Sequence, residues 1–253
     1  MPSERPPRSR DALPTPDCPV VMRQRWRDLL FLHWPLPPEV IQNRLPAGLK
    51  VDTYGGDAYL GVVPFSMEGV RPARLPAVPG LSSFGELNLR TYVVGPDGLP
   101  GVWFFSLDAH QRVAVWVART FFALPYHHAR IAVETGGEPR RTAYRWSRGG
   151  PMPPKPAFDW TLAGPPRPAE PGSLAAFLAE RYVLFSHRPR SDRLYAGRVD
   201  HEPYGLCPVE LNRHDTALFG LNGFAAPTGP PTHVTASRGV DVAIHPLRRV
   251  TTR

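Results

Sequence analysis

Short apolar runs, most of them closed by a proline or glycine turn, set the rhythm of this chain. Trp26, Leu29, Leu30, Phe31, Leu32 and Trp34 form an apolar strand or strand pair that Pro35 stops. Pro37 and Pro38 suit a helix start, with Val40, Ile41 and Leu45 on one side before Pro46 and Gly48 end it. Strand-like runs follow at 49–54 and 57–67, parted by the Gly55-Gly56 turn. A clear strand over 83–94 closes on Gly95-Pro96-Asp97-Gly98, and 101–107 reads as its hairpin partner. Asp108 can cap a helix running to about 122, in which Val113, Trp116, Val117 and Phe121 keep near-helical spacing. Residues 113–117 also alternate as a strand would. Strands are expected at 129–134, 140–148 and 158–162, and the eight prolines of 151–172 mark a long surface loop. Ser173 caps a short helix with Leu174, Phe177 and Leu178 inward, 182–187 and 193–199 form another hairpin, and a last strand lies near 240–244.

Short strands with two or three helices give an α+β, mostly β class: a curved antiparallel sheet closing into a barrel. The 253 residues, 42% hydrophobic, can fill a substantial core. One domain is expected over 20–250, preceded by a Pro/Arg-rich, disordered tail over 1–19 with almost nothing to bury. No apolar run approaches bilayer length and no signal-peptide core follows the start, so no membrane partner is expected. Cys18 and Cys207 are too few for a disulfide framework or a four-thiolate zinc site. Together these features describe a soluble, cytoplasmic protein.

A formal charge of +8 suggests a polyanion partner until its source is considered. Lys50 and Lys155 are the only lysines, so 28 of the 30 basic residues are arginine. The arginines are scattered, and most of their groups have an acid nearby, such as Asp28, Glu138 or Asp192. No helix-turn-helix, zinc-finger or aromatic RNA-binding signature accompanies them. Specific nucleic-acid binding is therefore not expected; weak, salt-sensitive polyanion binding is.

The most informative segment is Phe84-Gly85-Glu86-Leu87-Asn88-Leu89-Arg90-Thr91-Tyr92. Strand alternation places Phe84, Glu86, Asn88, Arg90 and Tyr92 on one face and Leu87, Leu89, Thr91 and Val93 on the other. Either the polar row meets water, or it points into a barrel where Glu86 and Arg90 pair and orient a ligand. The run from Val102 to Asp108 is apolar on both faces until Ser106 and Asp108, which suits a strand covered on both sides. His127 and His128 are adjacent, with no other histidine at ligand spacing and no His-Glu-x-x-His, so no metal is expected. The serines of Gly80-Leu81-Ser82-Ser83-Phe84-Gly85 do not fit a nucleophile elbow, and no phosphate loop exists, so no cofactor is expected. Cys207 before a proline reads as a small core residue.

The ordered motifs Trp26-x-x-Leu29-x-Phe31-x-His33-Trp34, Leu45-Pro46-x-Gly48-Leu49, Val63-Pro64-Phe65, Glu86 to Tyr92, Gly101 to Asp108, Ala118-Arg119 through Leu124-Pro125-Tyr126, Phe177-Leu178-x-Glu180-Arg181-Tyr182 and His201-x-Pro203 resemble the YqjF-like family of uncharacterised bacterial proteins. More remotely the chain is similar to acetoacetate decarboxylase, and the resemblance implies a curved antiparallel barrel around an internal pocket. It places Glu86 at a pocket glutamate and Arg119 at a helix arginine. Tyr126 and His127 stand after Pro125, where the decarboxylase has its lysine pair, and a second pocket glutamate falls near Gly61 or Val62 and is missing. A Schiff base is therefore not expected, since neither Lys50 nor Lys155 is an obvious substitute.

These readings give Glu86, Arg119, Tyr126 and His127 as candidate catalytic residues, and Asn88, Arg90, Ser106 and Asp108 as candidates for binding. An arginine would hold a carboxylate or enolate of an oxo- or hydroxy-acid, and Glu86 or His127 would move a proton, in a lyase, isomerase or hydrolase. The alternatives are an Arg119–Glu86 ion pair bracing the barrel, and a non-catalytic binding or regulatory protein. Residual sheet edges are compatible with a homodimer.

Overall fold

The computed structural model describes residue 13 and residues 18–188 and 191–250. Its elements run β1 (Met22–Leu36), α1 (Pro38–Gln42), β2 (Lys50–Val51), β3 (Ala58–Pro72), β4 (Phe84–Val94), β5 (Pro100–Ala109), α2 (Arg112–Phe121), β6 (Tyr126–His128), β7 (Arg130–Gly136), β8 (Arg141–Ser147) and β9 (Phe158–Leu162). They continue with α3 (Leu174–Ala179), β10 (Val183–Arg188), β11 (Arg193–His201), β12 (Leu206–Cys207), β13 (Val209–Arg213), α4 (Ala217–Leu221), β14 (His233–Ile244) and β15 (Arg248–Val250).

Seven strands close on themselves in the order β14-β1-β3-β4-β5-β10-β11, with β11 pairing back to β14. Every pairing in this ring is antiparallel except β5 with β10. The mostly β class and the curved, self-closing sheet expected from strand punctuation are present. A separate antiparallel sheet, β13-β9-β8-β7, stacks on the outside of the ring. Leu30, Leu32, Leu60, Val62, Leu87 and Leu89 of the ring pack there against Tyr144, Trp146, Phe158, Trp160 and Leu162.

This layering explains the strand sequences. Residues 58–65 of β3 and 84–93 of β4 are buried throughout, because the ring interior covers one face and the outer sheet the other. In β8 only Thr142, Tyr144 and Trp146 are buried, and the intervening residues reach the periphery. β1 bends sharply at Asp28, which holds φ at 50° where the β1–β3 register shifts. Arg140 fixes this bend with two hydrogen bonds to the Asp28 carboxylate, at 2.7 and 2.9 Å. Across from it, Gly239 has φ 137°, and a Cβ there would lie 2.1 Å from the carbonyl oxygen of Trp26. Only glycine fits that crossing.

Several expectations are corrected. The strand expected at 158–162 is β9, an inner strand of the outer sheet with Trp160 buried, so the surface-loop reading of 151–172 holds only for its flanks. The prolines flank β9, and Phe158, Trp160 and Leu162 alternate inward. Asp108 lies within β5 and does not cap α2; the Gln111 side chain does, accepting from Val113 N at 3.3 Å. Of the near-helical stripe, Trp116 and Phe121 face outward, Val113 is half exposed at the cavity's edge and Val117 turns inward with Ala114 and Ala118. The strand expected near 240–244 starts at His233, well before residue 240, and β15 follows it. Most of the 1–19 tail lies outside the described residues; within it Leu13 is buried against Leu49, Val93 and Tyr182. Among the described residues no helix is long and apolar enough to cross a membrane.

Candidate functional site

The ring encloses a cavity of about 310 Å³. Its walls are mainly aliphatic and aromatic, from Val63, Phe65, Met67, Phe84, Leu107 and Phe122, with a polar seam along one strand. That seam is Glu86, Asn88 and Arg90 of β4, all less than 8% exposed, and the two-residue period of the strand aims all three inward. α2 lies over one end, where Ala114, Val117 and Ala118 line the space. Val78, Leu81 and Val113 both line the cavity and reach the molecular surface, so the opening lies between α2 and the β3–β4 loop.

Glu86 and Arg90 face the same space but do not pair as the sequence suggests. Four residues of extended strand set their Cα atoms about 13 Å apart. Glu86 instead accepts a short hydrogen bond from the Tyr126 hydroxyl. Burial pushes the Glu86 carboxyl up to about 7, against the opposing hydrogen bonds of Tyr126 and Asn88. The Tyr126 hydroxyl is raised well above its ordinary range by burial and then by the Glu86 charge, so Tyr126 remains the donor. Asn88 keeps a buried Oδ1 with no hydrogen-bond partner.

Arg90 lies deeper along the seam. Its Nη2 donates to the Leu178 carbonyl at 3.1 Å and its Nε to the Tyr92 hydroxyl at 3.4 Å. Among the described residues no carboxylate forms an ion pair with it, in contrast to nearby Arg181, which pairs with Asp52 at 2.8 Å. A buried guanidinium without an anion is costly unless another group compensates its charge. Behind Arg90 a polar chain continues: Tyr92 Oη lies 2.6 Å from His33 Nε2, and His33 Nδ1 lies 3.2 Å from His233 Nδ1. Burial, then His233 and Arg90, hold the His33 pKa well below its ordinary value, so this ring is neutral.

The other candidates fall elsewhere. Asp108 and Ser106 pair with Leu87 and Leu89 across the β4–β5 ladder, and paired residues share a face. Both therefore point to the outer sheet. There Asp108, fully buried, takes Trp146 Nε1 at 2.7 Å and the Arg148 fork at 2.5 and 3.0 Å. Ser106 Oγ accepts from Arg148 at 3.1 Å and from Asn222 at 2.9 Å. In β6, Tyr126 is opposite Leu107 and faces the cavity, whereas His127 is opposite Asp108 and is exposed on the other side. Burial and Arg148 lower the His127 pKa, with Asp108 opposing. Arg119 is exposed on α2, away from the cavity and from Glu86, so the two form no bracing pair. Lys50 and Lys155 are both exposed, and neither lines the cavity. Among the described residues no three histidine, cysteine, aspartate or glutamate side chains gather as a metal site. Cys207 is buried in the core between the ring and the outer sheet.

Sequence reasoning left Tyr92 without a role at the site and gave none to His33, Arg148 or Arg181. The signal for His33 was its position as a single polar residue inside an apolar run. For Arg148, nothing in the chain pointed to Asp108.

Comparison with known proteins places these residues in context. Residues 23–241 match the DUF2071 family, described as an uncharacterized conserved protein. The chain is 36% identical to the uncharacterized protein YqjF of Bacillus subtilis (strain 168) over 236 residues, 92% of this chain and 94% of that one. Among solved structures it is similar to the acetoacetate decarboxylase of Legionella pneumophila, with a TM-score of 0.62 and 13% identity over 94% of this chain and 92% of that one. It is also similar to the enduracididine biosynthesis enzyme MppR complexed with pyruvate, with a TM-score of 0.64 and 16% identity over 96% and 94%. At these identities the likeness shows a shared acetoacetate decarboxylase-like fold.

Proposed function

This chain belongs to the DUF2071 family, and from that premise we propose that its cavity binds an oxo- or hydroxy-acid and performs acid–base chemistry on it. Arg90 takes the carboxylate as a charge-assisted, forked hydrogen-bond partner. Glu86, its carboxyl pushed up to about 7, gives or takes a proton at an oxygen or carbon further along the ligand, and Tyr126 holds its carboxyl in place. Asn88 lies between them, with an acceptor ready for a ligand hydroxyl. The single observation that supports this reading most is the buried Arg90 guanidinium, which faces an apolar cavity with no carboxylate of its own. Arg119 and His127 have no part in this scheme, nor do Ser106 and Asp108. A neighbour of the same fold was solved with pyruvate, an oxo acid.

The test is proton exchange in deuterated buffer, with levulinate and longer oxo acids followed by NMR. Wild-type protein is expected to exchange carbon-bound protons, Glu86→Gln to bind the acid without exchange, and Arg90→Met to lose binding. If no oxo- or hydroxy-acid raises the melting temperature, the reading fails. Binding without exchange in the wild type would instead make this a non-catalytic carboxylate-binding protein.

A second reading, weak polyanion binding, is favoured by an open depression of about 530 Å³ lined by Arg112, His128 and Arg130. Retention on heparin that vanishes at moderate salt in both the wild type and Arg130→Ala would reduce it to generic charge.

A further inference from the structure

We infer, on the strength of the Arg90 reading, that the ligand is an elongated amphipathic carboxylate: its head rests on Arg90 and its aliphatic chain runs past Glu86 and out beneath α2. The first support is the length of the seam. The Arg90 side chain is tied to Tyr92 and Leu178, and Tyr92 lies further from Glu86 than Arg90 itself does. An anion on Arg90 is therefore held toward the Tyr92 end of the seam, away from Glu86, whose Cα lies about 13 Å from that of Arg90. A three-carbon acid could not touch both.

The second support is what fills the span. Beyond Glu86 the walls are Phe65, Met67, Phe84, Ala118 and Phe122. The polar side chains near the opening are turned to their own neighbours. Gln24 donates to Met22 Sδ and accepts from Trp26 Nε1, Ser82 Oγ accepts from Val78 N, and Arg71 donates to the Gly69 carbonyl. A small hydrophilic acid would leave this apolar volume to poorly bonded water, whereas an alkyl chain would bury surface throughout it.

The third support is the opening. Val78, Leu81 and Val113 line it and stay about half exposed; in the same helix and loop, Trp116 and Leu75 are exposed to 60% and 58%. Scattered exposed apolar residues need no explanation, but a group of them at a cavity mouth suits an apolar ligand.

The experiment is isothermal titration of the full chain with butanoate, hexanoate, octanoate, acetoacetate, methyl octanoate and octan-1-ol. Affinity is expected to rise about fourfold per added methylene up to octanoate, the increment that buried methylenes give. Methyl octanoate and octan-1-ol are expected to bind at least tenfold more weakly than octanoate. Ala118→Trp, which fills the tail region, is expected to abolish the gain from butanoate to octanoate while leaving butanoate binding in place. If acetoacetate and butanoate bind as tightly as octanoate and Arg90→Met abolishes them all, the elongated class is wrong and the carboxylate reading stands. If no acid binds, or the methyl ester binds as well as octanoate, both fail. Because the ester comparison is made on wild-type protein, it decides the head group even if Arg90→Met does not fold.

Discussion

The Tyr126 hydroxyl donates to the Glu86 carboxyl along one wall of the cavity, joining β6, which runs parallel to β5, to the buried strand β4. This bond favours the charged form of Glu86 while burial opposes it. Tyr126→Phe is therefore expected to raise the Glu86 pKa beyond about 7 by about one to two units, the worth of a hydrogen bond to a charged group. Carboxyl-carbon NMR titration of wild type against variant measures it, and an unchanged midpoint would remove Tyr126 from the site's electrostatics.

The same carboxyl makes stability depend on pH. Below about pH 4.5 Glu86 is protonated in both the folded and unfolded chain. Between there and about 7 only the unfolded chain releases the proton, so Glu86 destabilises the fold progressively as pH rises. Relative to wild type, Glu86→Gln is expected to gain on the order of 3 kcal/mol between those limits. Denaturant melts at pH 4.5 and pH 8 test this; a constant difference between the two proteins at both pH values would contradict it.

Asp108 is fully buried, and Arg148 is its charge partner. Removing the cation leaves a carboxylate with only Trp146 as a donor. Arg148→Met is expected to cost about 3–5 kcal/mol in urea unfolding, whereas Arg145→Met, whose pair with Glu134 is largely exposed, is expected to cost less than about 1 kcal/mol.

At the bend of β1, Gly239→Ala would set a Cβ against backbone rather than against a movable side chain. A loss of about 3 kcal/mol is expected, at the upper end of overpacking costs. The control is Gly136→Ala, which meets nothing within 4 Å and has no positive φ. Equal melting temperatures for the two variants would refute the bend's geometry.

Neither lysine reaches the cavity, so borohydride reduction in the presence of acetoacetate is expected to leave the protein's mass unchanged. An adduct on Lys50 or Lys155 in the intact mass spectrum would overturn that expectation.

Much of this was legible in the chain. The two-residue period set Glu86, Asn88 and Arg90 on one face, and turn residues marked the β4–β5 and β10–β11 hairpins. Which face looked inward was not legible for β5, because a strand covered on both sides carries no solvent-facing reference. Ser106 and Asp108 were therefore assigned to the wrong layer. Between Tyr126 and His127 a single residue step reverses the face, and only the pairing with Leu107 fixes which of the two enters the cavity. α2 misled for a different reason. Its largest apolar residues, Trp116 and Phe121, are more than half exposed, so hydrophobicity there does not report burial, and Arg119 is exposed with them.

A sheet that bites its own tail offers a neighbouring molecule little backbone to grip. The outer layer ends in β13 and β7, neither of which, among the described residues, borders a further strand on its far side. Strand-by-strand growth between copies would therefore have to start from such margins rather than from within the closed ring.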